Sequence, residues 1–232
     1  MIAESATGAR RRIYGRRRGR KLRAGRRALM ETLLPRLRIV LPPAGMLDPA
    51  ILVPHAKDLW LEIGFGAGEH LAEQARTHPD VAVLGAEVFE NGIAKLLAAV
   101  ERDGLTNVRL FVDDARLLLA CLPDCSLGRA FILYPDPWPK ERHKKRRIVA
   151  PETLDQLART LRPGAELRIA TDDADYAMWI GAALADRADF VVLACAEGDW
   201  PDRPADWPAT RYEQKAVAAG RLPRLFRLVR RA

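Results

Sequence analysis

The chain has 232 residues, 49% of them apolar and 29% charged, with a formal net charge of +8. That length suits one α/β domain plus a short appendage, and the composition is that of a globular protein, which excludes a disordered or fibrous chain. No apolar run approaches a membrane span and the arginine-rich beginning lacks a signal-peptide core, so a cytoplasmic protein without membrane attachment is expected.

The charge is segregated. Residues 1–40 hold 13 Lys and Arg against Glu4 and Glu31, a balance of +11, whereas the remainder carries −3. Residues 1–27 therefore read as a basic, flexible arm, and 28–56 as a docking segment and linker with a break at Pro42-Pro43-Ala44-Gly45. Residues 57–232 form the main domain. The arm suits an extended polyanionic partner, and reads equally as a solvated charge run. If it binds RNA, deleting residues 1–27 flattens the salt dependence and leaves cofactor affinity intact. Cys121, Cys125 and Cys195 have no CxxC or His spacing, so no metal is expected.

From residue 57 short apolar runs alternate with segments of helical period. The predicted order is strand Lys57–Ile63, helix Glu69–Arg76, strand Val81–Glu87, helix Asn91–Arg102, and strands Val108–Val112 and Arg129–Tyr134. Helix Glu152–Leu161, strand Ala165–Thr171, helix Ala174–Ala185 and strands Phe190–Ala194 and Leu225–Val229 follow. This predicts a Rossmann-like α/β fold: a seven-stranded, mostly parallel sheet with helices on both faces.

The first strand runs into Gly64-Phe65-Gly66-Ala67-Gly68, a glycine-rich strand-to-helix turn of the kind at which α/β sheets bind ligands. The spacing is GxGxG, and Glu69 stands where a dinucleotide fold wants its third glycine. Glu62 would repel a diphosphate but suits an amino group or a sulfonium, and S-adenosyl-L-methionine carries both. Glu87 closes the second strand, placed to accept hydrogen bonds from both ribose hydroxyls, and Asp114 follows the third, placed for an adenine amine. Each acid alone also reads as a helix cap. Their convergence at the carboxyl ends of successive strands favours the cofactor.

After the fourth strand comes Tyr134-Pro135-Asp136-Pro137-Trp138-Pro139-Lys140, then a run to Arg147 in which six of the eight residues from Lys140 are Lys or Arg. Three prolines stiffen the backbone around Asp136 and Trp138. A carboxylate, an aromatic face and a basic run can grip one base and its phosphates. A packed proline loop with a solvated basic helix start is the other reading.

The string PDPWPKERHKKRR, with LEIGFGAG, GAEV, DDA, ATDD and TRYEQK in order, resembles the tRNA (guanine-N7-)-methyltransferases, within the class I S-adenosylmethionine-dependent methyltransferases. The resemblance implies transfer of methyl to N7 of the tRNA variable-loop guanine conventionally numbered 46, on a seven-stranded sheet whose last strand is antiparallel. It implies that Glu62, Gly64, Gly66, Gly68, Glu87, Asp114 and Asp136 hold the cofactor and that Asp136 is also the catalytic acid. Lys140, Arg142, Asp172, Thr210, Arg211, Tyr212 and Glu213 are implied to contact substrate.

Two departures stand out. Asp173 occupies the place of a tryptophan in many relatives, and the pair Asp113-Asp114 is ambiguous, with Asp114 preferred because it precedes the matching alanine. Thr210 to Glu213 follow a loop containing Trp200 and Trp207, and read also as a well-packed helix start. No obligate protein partner is expected, the chain acting as a monomer or homodimer.

Overall fold

Seven strands form one sheet in the computed structural model, which describes residues 13–197 and 205–232; arm residues 1–12 and Trp200 lie outside the described residues. The strands are β1 (Asp58–Ile63), β2 (Val81–Ala86), β3 (Val108–Phe111), β4 (Leu127–Leu133), β5 (Leu161–Thr171), β6 (Phe190–Glu197) and β7 (Arg224–Arg230). Their order is β3-β2-β1-β4-β5-β7-β6. The first five pair in parallel, while β7 is antiparallel to both β5 and β6. The strand order reverses between β1 and β4, where an α/β sheet opens a crevice at its carboxyl edge.

The helices are α1 (Ala24–Thr32), α2 (Leu34–Leu37), α3 (Pro49–Leu52), α4 (Glu69–Thr77), α5 (Glu90–Asp103), α6 (Ala115–Cys121), α7 (Pro151–Thr160), α8 (Ala174–Ala185) and α9 (Arg211–Ala218). A short 3-10 helix covers Glu141–Arg146. Period-two alternation divides the core. Leu59, Leu61 and Ile63 of β1 face a cluster with Leu118, Leu154, Leu157 and Ile180. Trp60 and, from β4, Phe131 and Leu133 face Leu71, Ile93, Leu96 and Leu97 of α4 and α5. Burying each such leucine contributes about 1.5–3 kcal/mol. Glu62 shares the Trp60 parity and so points to the α4 side.

All seven expected strands form. β5 begins four residues earlier than expected, at Leu161 where helix Glu152–Leu161 was to end, because the Pro163-Gly164 stretch continues the strand across a register shift. α1, which begins inside the segment expected to be flexible, buries Leu29, and α2 buries Leu34 and Leu37 in the same cluster. Ile39 N–H donates to the Leu110 carbonyl oxygen at 2.8 Å and Arg38 bridges in parallel to Leu110, so the docking segment closes the β3 edge.

Candidate active site

A cleft of about 750 Å³ opens at the carboxyl ends of β1 to β4. Its floor is the turn after β1. Gly64 and Gly66 have φ of +73° and +55°, left-handed values that side chains resist, and a Cβ at either would meet nothing within 4 Å. They present bare backbone to the cleft. Gly68 has another duty: as N-cap of α4 at φ +75° it packs on Leu96, which a Cβ would approach to 2.7 Å, and it is not in the cleft wall. A Cβ at Gly92, in the first turn of α5, would overlap the Gly66 carbonyl oxygen, so helix and turn are in backbone contact.

Six acids line this cleft, Glu62, Glu69, Glu87, Asp113, Asp114 and Asp136, and the three expected at the strand ends are among them. Glu62 is buried, its Oε2 at 2.8 Å from His70 Nδ1. Glu87 Oε2 accepts from Gly66 N–H at 2.9 Å, and Oε1 from Val88 and Phe89 N–H at 2.7 and 3.0 Å. Burial raises the Glu87 carboxyl above its ordinary pKa, against the pull of these three bonds. A carboxylate offers about four acceptor positions, so about one remains, rather than the two that both ribose hydroxyls would need. Asp114 is buried, caps α6 through Arg116 N–H and pairs with the Arg116 guanidinium at 3.1 Å. It is a helix cap that also lines the cleft, beside Asp113.

The mouth is built from the proline-rich segment. Tyr134 and Trp138 hold φ of +53° and +46°, strained for side-chain-bearing residues, on either side of Asp136. Partial desolvation raises the Asp136 carboxyl above its ordinary pKa. The basic run after it divides. Arg147 is 1% exposed, donates to the Pro137 carbonyl oxygen at 2.8 Å, pairs with Asp175 and lies against Tyr176 and Trp179. It therefore anchors the loop and is withdrawn from phosphate, as is Lys144 through its pairing with Asp175. Arg146 faces the cleft, its guanidinium 4.9 Å from the Trp138 ring centroid and 5.2 Å from Tyr14. Lys140, Arg142 and Lys145 are exposed.

Tyr14 comes from the arm. Residues 17–20 are tied to the start of α5: Glu90 N–H donates to the Arg17 carbonyl, Arg18 pairs with Glu90 at 2.8 Å, and Asn91 bonds Gly19 N–H and the Arg20 carbonyl. This fastening lays Ile13, Tyr14 and Arg16 into the cleft wall. An arginine-rich run carried no sign of such docking.

The opposite wall is α9. Thr210 caps it, its hydroxyl accepting from Glu213 N–H at 3.2 Å, and Glu213 is 6% exposed, the arrangement of a packed helix start. Arg211 N–H donates to Glu69 at 2.8 Å. Tyr212 stacks near Tyr134 with centroids 5.1 Å apart, and its hydroxyl donates to Asp172 at 3.4 Å. Asp172 pairs with Arg221 at 3.2 Å. Thr210, Arg211 and Tyr212 line the cleft; Lys140, Arg142, Asp172 and Glu213 stand outside it. His70, Tyr134, Tyr14 and Arg146 line it without having been singled out in the sequence. Among the described residues no three His, Cys, Asp or Glu side chains converge to hold a metal ion, and no helix is long and apolar enough to cross a membrane.

Residues 56–223 match the family described as "Putative methyltransferase". A tRNA (guanine-N(7)-)-methyltransferase of Paramagnetospirillum magneticum is 51% identical over 231 residues, covering 98% of this chain and 96% of that one. One from Rhodospirillum rubrum is 49% identical, covering 91% and 85%. Among solved structures, the 16S rRNA methyltransferase KamB superposes with a TM-score of 0.59 at 19% identity, covering 81% of this chain and 95% of that one. A 16S rRNA (adenine(1408)-N(1))-methyltransferase from Catenulisporales acidiphilia, with cosubstrate SAM, gives 0.53 at 18%, covering 80% and 92%. These likenesses establish the fold, and the identities with the first two relatives establish more: the chain belongs to the tRNA (guanine-N(7)-)-methyltransferase family.

Proposed function

We propose that this chain transfers the methyl group of S-adenosyl-L-methionine to N7 of a tRNA guanine, the variable-loop base conventionally numbered 46, in the cytoplasm. The observation that carries the reading is the single cleft in which Glu62, Glu87 and Asp114 line the carboxyl ends of β1, β2 and β3 while Asp136 stands at the mouth. The donor set fits such a cofactor: acceptors for its amino, hydroxyl and exocyclic amine groups, with the Glu62 carboxylate beside the glycine turn, where it would repel a diphosphate. The names of the relatives support the choice of guanine N7 and tRNA.

When bound, S-adenosylmethionine supplies an electrophilic methyl group on its sulfonium. Guanine N7 carries an in-plane lone pair, so no proton has to leave it before attack and a general base is not required. The protein's work is orientation, which is worth several kcal/mol of barrier. Asp136, as carboxylate, accepts from the guanine N1–H and exocyclic amine, which selects guanine and offsets the positive charge that the alkylated base acquires. Tyr134 and Tyr212 offer aromatic faces at the same mouth. Lys140, Arg142 and Lys145 meet phosphates, which positions the RNA without reading sequence.

The test is transfer of labelled methyl to unmodified tRNA, followed by nuclease mapping of the product. Label recovered as 7-methylguanosine in the variable loop is expected, and label on another atom or base would overturn the assignment.

A further inference from the structure

A chain of buried hydrogen bonds runs from the cleft floor to the loop that precedes α9. Glu62 Oε2 lies 2.8 Å from His70 Nδ1. Gln74, one turn further along α4, sets its Nε2 3.3 Å from His70 Nε2 and donates from the same nitrogen to the Asp206 carbonyl oxygen. The Asp206 carboxylate is in turn held by Arg168 at 2.9 Å and by Arg129. His70 and Gln74 are 2% and 0% exposed.

The polarity of the chain is determined by its ends. A carboxylate only accepts, so His70 Nδ1–H donates to Glu62, and Nε2, which faces the Gln74 amide nitrogen, is the acceptor there. One Gln74 N–H fills that acceptor and the other reaches Asp206. The reversed amide would set carbonyl against carbonyl, so this orientation serves both His70 and Asp206, and it leaves Gln74 Oε1 buried with no hydrogen-bond partner among the described residues.

Burying these groups costs free energy that leucines on the same helix face would not. What the arrangement adds is a fixed relation between two walls. Asp206 lies four residues before Thr210, the cap of α9, and α9 brings Arg211 and Tyr212 to the cleft. Glu69, in the first turn of α4, adds a second tie by accepting from Arg211 N–H.

We infer that His70 and Gln74 are positioning residues: His70 orients the Glu62 carboxylate toward the cofactor, and Gln74 links that orientation to the α9 wall against which the RNA seats. The inference rests on the functional reading given above, in which Glu62 binds the cofactor and α9 faces substrate.

The experiment compares three full-length variants by calorimetric binding of S-adenosylhomocysteine and by steady-state kinetics with tRNA. His70→Asn places an amide nitrogen close to the position of Nδ1 but ends short of Gln74, His70→Leu removes both bonds, and Gln74→Leu removes only the second. His70→Asn should bind S-adenosylhomocysteine within about threefold of the parent and His70→Leu roughly tenfold more weakly, the loss of one hydrogen bond to a charged group. His70→Asn and Gln74→Leu should both raise the KM for tRNA about three- to tenfold, with kcat at saturating tRNA nearly unchanged. Circular dichroism melts show that each variant is folded, and His70→Asn keeps the test decisive should His70→Leu unfold. Equal ligand affinity in His70→Leu and parent overturns the role of His70, and unchanged KM in both other variants overturns the link. Parent protein that binds no S-adenosylhomocysteine overturns the cofactor reading itself, an outcome distinct from either.

Discussion

Gly15 lies over the Asp136 carboxylate, so closely that a Cβ on Gly15 would stand 3.1 Å from Asp136 Oδ2. Its φ of +94° is left-handed, which a side chain resists independently of the contact. Gly15→Val should therefore lift Tyr14 from Trp138, speed S-adenosylhomocysteine release several-fold in stopped-flow, and leave the melting temperature within a degree or two, because the segment contributes little to the core.

Replacing the acid itself separates binding from chemistry. Asp136→Asn keeps the volume and loses the charge that, in the proposed mechanism, faces the methylated base. Single-turnover methylation should fall about 10²-fold, the scale of losing one electrostatic interaction in a transition state, with S-adenosylhomocysteine affinity within roughly threefold. Unchanged single-turnover rates would remove Asp136 from the mechanism.

The pH profile follows from the same group. Desolvation raises the Asp136 carboxyl, so it holds its proton to higher pH than a free aspartate, and in the proposed mechanism the ionised form is the one that accepts from guanine. The acid limb of kcat/KM should lie above the ordinary aspartate range and disappear in Asp136→Asn. Glu87 acts on stability instead. Its folded pKa is raised, so the folded state binds the proton more tightly, and that contribution is complete below the unfolded value and lost as pH rises through the folded one. Urea unfolding across acidic pH should show the slope in the parent and a flatter one in Glu87→Gln.

Arg168, in β5, holds the segment that leads into α9. It is 1% exposed, pairs with Glu166 at 2.8 Å and Asp206 at 2.9 Å, and its guanidinium carbon lies 5.3 Å from the Trp207 ring centroid. Arg168→Met leaves two carboxylates short of a partner, a loss of about 3 kcal/mol, the lower end for breaking a buried pair because Arg129 and Arg227 still reach Glu166. A chain of this size then melts roughly 6–12 °C lower, measurable by scanning calorimetry.

Two deletions resolve the arm. Removing residues 1–12 leaves Ile13, Tyr14 and Arg16 in the cleft wall, and S-adenosylhomocysteine should bind as before. Removing residues 1–20 takes that wall away, so ligand affinity should fall and the tRNA salt slope should drop by about 0.7–0.9 for each phosphate that the arm no longer neutralises. The sequence alone led to the opposite expectation for the cofactor, namely that deleting the arm leaves its affinity intact.

That difference shows where the sequence was legible. Strands buried on both faces are continuous apolar runs, and acids placed at or just past their carboxyl ends stand out, which is why Glu62, Glu87 and Asp114 could be read together. The α6 segment, Ala-Arg-Leu-Leu-Leu-Ala-Cys, is buried nearly all round, so it has no polar face and no visible helical period. Arg147 sat in a basic run that reads as solvated, and only the aromatic side chains of α8 reveal that it is buried. His70, Gln74 and Arg168 are each tied to a partner on another segment, His70 to Glu62 and the other two to Asp206, and local pattern carries no record of those pairings. Tyr14 lies among arginines, and its place beside Trp138 depends on bonds between residues 17–20 and α5.

The contact between Gly92 and the Gly66 carbonyl oxygen has a reach beyond packing. The turn at the cleft floor is moulded from behind by the first turn of α5, so the mould and the cast are encoded 26 positions apart. A methyl group at position 92 would enter the site without touching any ligand, by pushing the backbone of residue 66 toward the cleft. Selection screens for impaired cofactor use should thus recover changes in the first turn of α5 alongside changes in the glycines, and suppressors of one should map to the other.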